Sequence, residues 1–227
     1  MTLLACYGGS FDPVHLGHLA IARAVRDRLG AEVVLVPAAD PPHKTHTHAD
    51  AEARAAMLEL AIAGEPGMRV DRRELHREGP SYTIDTLRLI RAEQGPQRAI
   101  AWVVGGDSLL RLDSWHRWRE LFAHGHVLAV ERPGTPLDPS TVERLAVTVY
   151  RGIEFRRRAA TALADSPAGG YAVLALPELR AESSTEVRRR IATGEDWPSL
   201  VPAAVAAHIR QHGLYAGGPG SGSAASL

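Results

Sequence analysis

The chain has 227 residues, 45% of them hydrophobic and 23% charged, and its 26 basic and 26 acidic side chains balance to a formal charge of zero. Such a length and composition suit a globular chain with one sizeable core, and the neutral balance excludes a whole-molecule field that would draw in nucleic acid or a membrane surface. A lone cysteine, Cys6, excludes an internal disulfide, and no apolar run reaches the about 18 residues of a membrane span.

The first residues also lack the basic and apolar regions of a secretory leader, so the expected location is the cytoplasm. Leu3-Leu4-Ala5-Cys6 is a continuous apolar run, the pattern of a parallel strand buried on both faces. After Tyr7 to His18 come Ile21, Val25 and Leu29 at helical spacing. The stretch reads as strand, glycine turn and helix start. Gly8 and Gly9 carry no Cβ to hold a phosphate away from backbone N–H groups. The helix start offers unpaired N–H groups and about half a positive charge. His15 and His18, three apart across Gly17, can both point at an anion there.

Residues 32–37 read as a second buried strand, followed by a loop containing Pro41-Pro42-His43-Lys44. Loops at the carboxyl ends of strands line the ligand crevice of an open α/β sheet, and the two prolines would deliver Lys44 there at a defined place. His43, His46 and His48 read as a solvated loop rather than a metal site, since structural zinc sites close four ligands and often use Cys. A helix over 49–63 should bury Ala56, Leu60 and Ala63, with Met57 nearby and Gly64 as its cap. After a short extended stretch at 68–70, Arg72, Arg73 and Arg77 alternate with Glu74 and Glu78 as a solvated ion-pair face. No aromatic residues interleave with them, as a nucleic-acid stacking platform requires.

Thr83 is the expected N-cap of a helix over 84–93, a second helix start able to hold an anion, provided that Asp85 faces away. Residues 99–104 form another strand, ended by Gly105-Gly106-Asp107. Asp107 can accept from ribose hydroxyls, stand behind a nucleotide-bound Mg²⁺, or cap the next helix. Trp115 can stack on a pyridine ring and Trp118 belongs with the core. His124-Gly125-His126 reads as a loop, 127–130 as a strand, and Arg156-Arg157-Arg158 within 135–170 as a solvated helix face. After a strand over 171–176, Ser183-Ser184-Thr185 opens a helix with Arg188 one turn in, where a guanidinium can fork onto phosphate oxygens. Pro202 starts the last helix, and the Gly/Ser/Ala-rich end should be disordered.

Residues 8–18, GGSFDPVHLGH, resemble the signature of the HxGH nucleotidyltransferase superfamily, to which the HIGH motif of class I aminoacyl-tRNA synthetases is related. Together with PPHK, SYT, GGD, the DSW tryptophan, SSTEVR and the Gly213-Leu214-Tyr215 finish, the chain is similar to bacterial nicotinate mononucleotide adenylyltransferases. The resemblance implies a Rossmann-like open parallel α/β sheet with helices on both faces and a small helical part near 177–215. It implies one nucleotidyltransferase domain over 1–215 and a tail over 216–227. The implied partners are ATP, with Mg²⁺ on its phosphate oxygens, and nicotinate mononucleotide, with self-association left open.

The same resemblance places Gly8, Gly9, Ser10, Phe11, His15, Gly17, His18, Gly105, Asp107, Ser183, Ser184, Thr185 and Arg188 around ATP. It places Lys44, Tyr82, Thr83 and Trp115 around the mononucleotide. His15, His18, Lys44 and Arg188 are the implied catalytic set: His18 on the α-phosphate, His15 with Ser10 on phosphate, Lys44 and Arg188 on charge developing on pyrophosphate. Glu182 departs from the family's isoleucine and should point to solvent. The alternatives are another HxGH transferase, such as pantetheine-phosphate adenylyltransferase or a cytidylyltransferase, or a module that binds nucleotide without transfer. A synthetase would need a KMSKS-type loop, which the sequence lacks.

Overall fold

The computed structural model describes residues 2–39, 48–77, 79–131, 136–176 and 182–216. Six strands form one sheet: β1 (Leu4–Gly9), β2 (Glu32–Pro37), β3 (Met68–Val70), β4 (Ile100–Gly105), β5 (His126–Val130) and β6 (Tyr171–Leu174). Their order is β3-β2-β1-β4-β5-β6, and every pairing is parallel. This is the doubly wound order whose strand sequence reverses beside β1, opening a crevice at the carboxyl ends of β1 and β4.

Successive side chains of a strand point to opposite faces, and the core divides accordingly. Ala5 and Tyr7 of β1, with Val33, Leu35, Ala101 and Val103, pack under α1 (Leu16–Leu29), α2 (Ala51–Ile62), α8 (Ser184–Thr193) and α9 (Ala203–Gln211). Leu4 and Cys6, with Val34, Val36, Ile100 and Trp102, pack under α3 (Thr83–Gln94), α5 (Leu121–His124), α6 (Pro139–Leu145) and α7 (Val147–Ile153). A short α4 (Gly106–Leu109) follows β4 directly. α1 stops where Gly30 takes φ 57°, the left-handed position that glycine occupies without a Cβ clash.

The structure moves several expected boundaries. β1 runs on through Tyr7, Gly8 and Gly9, which pair with Leu35, Val36 and Pro37, so the two glycines end a strand instead of forming the turn. α2 buries Arg54, Ala55, Met57, Leu58, Ala61 and Ile62, while Leu60 is exposed. Its alanines allow two apolar stripes, and packing on the sheet selects the one that the spacing of Leu60 did not predict. Thr83 is the first residue inside α3, and Tyr82 is the N-cap, with no side-chain bond to the helix.

His126 begins β5 and is fully buried, so the stretch expected as a loop is a helix end, one glycine and a strand start. Residues 136–165, the least legible part of the sequence, hold α6, α7 and 3-10 turns that cover the sheet beside β5 and β6. Arg156 does not lie on a solvated helix face: its guanidinium stacks 4.6 Å from both the Phe122 and Phe155 rings. None of the described helices is long and apolar enough to cross a membrane.

Candidate active site

At the crevice between β1 and β4 lies a cleft of about 510 Å³. One wall is the end of β1 and the start of α1. His15, buried, is the N-cap of α1, and its backbone N–H donates to His18 Nδ1 at 3.3 Å. An Nδ1 that accepts leaves the proton of the neutral ring on Nε2. The two imidazoles stack with centroids 3.7 Å apart, and Phe11 meets His18 edge-on at 5.0 Å. Gly17 does not line the cleft; a Cβ on it would stand 3.0 Å from the His15 ring. Gly8 does line it, and a Cβ there would lie 2.2 Å from the Trp102 ring, so this glycine first makes room for a neighbouring strand's tryptophan.

Beside the turn after β1, the start of α8 continues the lining. Ser183 caps the helix by accepting from the Glu186 N–H at 3.1 Å, and Ser184 Oγ donates to the Pro13 carbonyl at 2.9 Å, joining α8 to the turn after β1. Arg188 donates to the Asp12 carbonyl and, at 3.3 Å, to Thr185 Oγ1. All four line the cleft. Glu182 is only half-buried and does not line it, but one carboxylate oxygen is enclosed by protein, so it does not simply point to solvent.

Beyond β4 the wall is Gly105, Asp107 and Ser108, then Trp115 and His116. Next to these stand Ser81, Tyr82 and Thr83 at the start of α3, and the Tyr82 and His116 rings stack with centroids 4.4 Å apart. Asp85 turns away and meets Arg88 at 3.4 Å. Of the expected site residues, Gly8, Gly9, Ser10, Phe11, His15, His18, Tyr82, Thr83, Gly105, Asp107, Trp115 and the α8 set converge on one cleft. Lys44 lies outside the described residues, as do His43 and His46.

The residue reading of the motifs missed two buried polar groups that hold this cleft together. Asp12, 3% exposed, accepts from the backbone N–H groups of His48 at 2.9 Å and Ala49 at 3.2 Å, and from the Tyr215 hydroxyl at 2.9 Å. Burial and the adjacent Asp12 carboxylate push the Tyr215 phenol well above its ordinary range. Arg54, fully buried, donates to the carbonyls of Ser10 at 2.7 Å, Ala38 at 2.6 Å and Ala39 at 2.9 Å, binding the ends of β1 and β2 together. Its signal was present: Arg54 shares a helical stripe with Leu58 and Ala61, which is where a lone arginine needs a buried partner. Glu74 was expected on a solvated face, yet it is 5% exposed and lines the cleft.

A doubly wound sheet whose switch-point cleft is faced by the N-termini of α1, α3 and α8, one bearing paired histidines and another an arginine, has the arrangement of a nucleotide-binding protein. Residues 6–190 match the cytidylyltransferase-like family. A protein of Stenotrophomonas maltophilia named probable nicotinate-nucleotide adenylyltransferase is 51% identical over 221 residues, covering 95% of this chain and 97% of its own length. One of the same name from Laribacter hongkongensis is 45% identical, covering 93% and 94%.

Among solved structures, the Plasmodium falciparum nicotinic acid mononucleotide adenylyltransferase complexed with NaAD shares the fold. Its TM-score is 0.72 at 17% identity, over 95% of this chain and 98% of that one. The chain belongs to the nicotinate-nucleotide adenylyltransferase family of nucleotidyltransferases.

Proposed function

We propose that this enzyme joins ATP to nicotinate mononucleotide, giving nicotinate adenine dinucleotide and pyrophosphate for NAD biosynthesis. The carrying observation is that donors for a triphosphate and aromatic side chains on which a pyridine ring can stack line one cleft. His15, His18 and the α1 start lie at one end with Ser183, Ser184, Thr185 and Arg188. Tyr82, Trp115 and His116 lie at the other.

In this reading the mononucleotide's phosphate oxygen attacks the α-phosphorus of ATP, a P–O bond forms, and the bond to the β-phosphate oxygen breaks as pyrophosphate leaves. No protein nucleophile is needed, so the protein contributes position and charge stabilisation. His18, its proton on Nε2, donates to the α-phosphate oxygens as charge grows there, and His15 and Ser10 hold phosphate. Arg188 is held between Asp12 and Thr185, which aims a guanidinium at the departing pyrophosphate without an ordering cost at reaction time. Lys44 is assigned to the same charge by its motif. Asp107 and the Gly105 backbone take the adenosine side, while Gly8, Gly9 and Phe11 shape the floor beneath the phosphates.

Mg²⁺ in this scheme arrives on the triphosphate as part of the substrate, where it screens phosphate charge. Asp107, a carboxylate on the cleft wall, suits contact with it through water. The start of α3, with Thr83 as its first residue, receives the ring carboxylate that distinguishes nicotinate from its amide.

Pyrophosphate release measured with ATP and a panel of acceptors tests the reading. Nicotinate mononucleotide is expected to exceed both nicotinamide mononucleotide and phosphopantetheine. Equal rates for acid and amide would remove the Thr83 assignment, and a preference for phosphopantetheine would overturn the function.

A further inference from the structure

Behind the start of α3 lies a buried polar chain that the proposed chemistry does not use. Glu74, in the turn after β3, accepts the Thr86 hydroxyl on Oε1 at 2.6 Å, and Arg77 donates to the same hydroxyl oxygen at 3.1 Å. Thr86 is fully buried and Glu74 is 5% exposed. Thr86 sits one turn into α3, where Asp85 and Thr86 N–H groups already bond back to the Tyr82 carbonyl. The chain therefore anchors the first turn of α3 to the turn after β3, an element that no strand pairing or helical ladder connects to it.

Two observations mark this as the ligand end of the helix. Tyr82 caps α3 without a side-chain bond, leaving its leading N–H groups to other partners. Ser81 Oγ, on a residue 6% exposed that lines the cleft, has no hydrogen-bond partner among the described residues. A buried hydroxyl left unsatisfied costs stability unless something arrives to use it. Burial pushes the Glu74 carboxyl up, against the pull of the Thr86 hydrogen bond and of Arg77.

We propose that Thr86, held by Glu74 and Arg77, is a positioning residue that makes the cleft select an acceptor ring bearing a carboxylate over one bearing a neutral amide. The inference rests on the acceptor reading given above. Its physical basis is tolerance: hydrogen bonds from backbone N–H groups to a carboxylate lose value when the donors shift by about half an ångström, and this chain is what sets the first turn in place. Thr86 touches neither substrate, so its influence passes through the backbone donors.

The experiment measures kcat and KM for ATP, nicotinate mononucleotide and nicotinamide mononucleotide by pyrophosphate release, in wild type, Thr86→Val, Thr86→Ser and Glu74→Gln. Thr86→Val keeps the shape and removes the hydroxyl. It is expected to raise KM for the acid acceptor about tenfold, the value of one backbone N–H bond to the ring carboxylate lost when the turn shifts, with KM for ATP and for the amide acceptor within about twofold. Thr86→Ser should restore the acid preference.

Glu74→Gln keeps an oxygen for the Thr86 hydroxyl and removes only the charge, so it tests the inference independently of Thr86→Val. It should keep the acid preference, and its loss there would assign selection to the charge of Glu74 and overturn the positioning role. An unchanged acid-to-amide ratio in Thr86→Val, beside an active wild type, overturns this inference alone. A wild type with no acid preference overturns the Thr83 assignment and this inference with it, and a wild type that prefers phosphopantetheine overturns the acceptor reading itself.

Discussion

His18 is placed by three contacts at once, two of them from His15: the His15 backbone N–H on Nδ1, the His15 ring at 3.7 Å and the Phe11 ring at 5.0 Å. A ring so held donates from one atom in one direction, the condition for charge stabilisation without reorganisation. His18→Ala is expected to lower kcat by at least about 10²-fold while the thermal midpoint stays near wild type; near-normal turnover would strip His18 of its role. Gly8 shows the limit of a motif read residue by residue. Its missing Cβ was expected to admit phosphate, but the nearer reason is the Trp102 ring, whose closest carbon would lie 2.2 Å from an added methyl. Gly8→Ala must therefore displace the Trp102 ring or the β1 backbone beside the cleft, and KM for ATP should rise together with a change in tryptophan fluorescence.

At the scale of elements, α1 and α8 do comparable work with different caps. α1 begins at a histidine, whereas α8 begins at a serine whose hydroxyl accepts the Glu186 N–H. Ser183→Ala removes that cap, worth about 1 kcal/mol, and frees the first turn that carries Ser184 and Thr185. Urea unfolding should register the loss, and KM for ATP should rise; a stability change with unaltered KM would separate α8 from nucleotide binding. α2 explains why some of the fold was hard to read. An alanine-rich helix has little hydrophobic contrast, so Leu60 suggested one face while contact with the sheet chose another. β2, at Glu32–Pro37, was legible because a strand buried on both faces needs only a short apolar run.

On the scale of the whole molecule, stretches far apart in sequence meet at Asp12. Tyr215 crosses 203 positions of sequence to donate to its carboxylate at 2.9 Å. Tyr215→Phe leaves Asp12 short of one donor in a buried setting, a loss of about 1–3 kcal/mol that should appear as a lowered urea midpoint and a weaker grip on Arg188, read as reduced kcat. His126 supplies a pH effect at the same scale. The Gly170 N–H donates to its Nδ1 at 2.8 Å and its Nε2 meets the Ser166 carbonyl at 2.8 Å, so the ring is held neutral, and burial lowers its pKa from the ordinary 6.5.

Below about 6.5 the unfolded chain binds a proton that the folded ring resists, so stability is full above that pH and falls on acidification until the folded group titrates. His124 and His208, also lowered by burial, add the same sign. Urea midpoints from pH 7.5 down to 5 should fall in wild type and fall less in His126→Gln. Equal slopes would show that His126 contributes nothing to acid sensitivity.

What the linear chain decided for itself is what depends on near neighbours. Short apolar runs specify buried strands, periodic ones specify helices, and glycine, histidine, serine and threonine at element junctions specify where backbone donors stay open, because each of these is settled within a few residues. The order β3-β2-β1-β4-β5-β6 is not of that kind. Only packing placed β4 beside β1, and that one adjacency brought residues 8–18, 81–83, 105–116 and 183–188 onto a common cleft. Packing also buried Arg54, Glu74, Thr86 and His126, whose partners lie on other elements, since a polar side chain goes inside only where distant parts of the chain arrive to satisfy it.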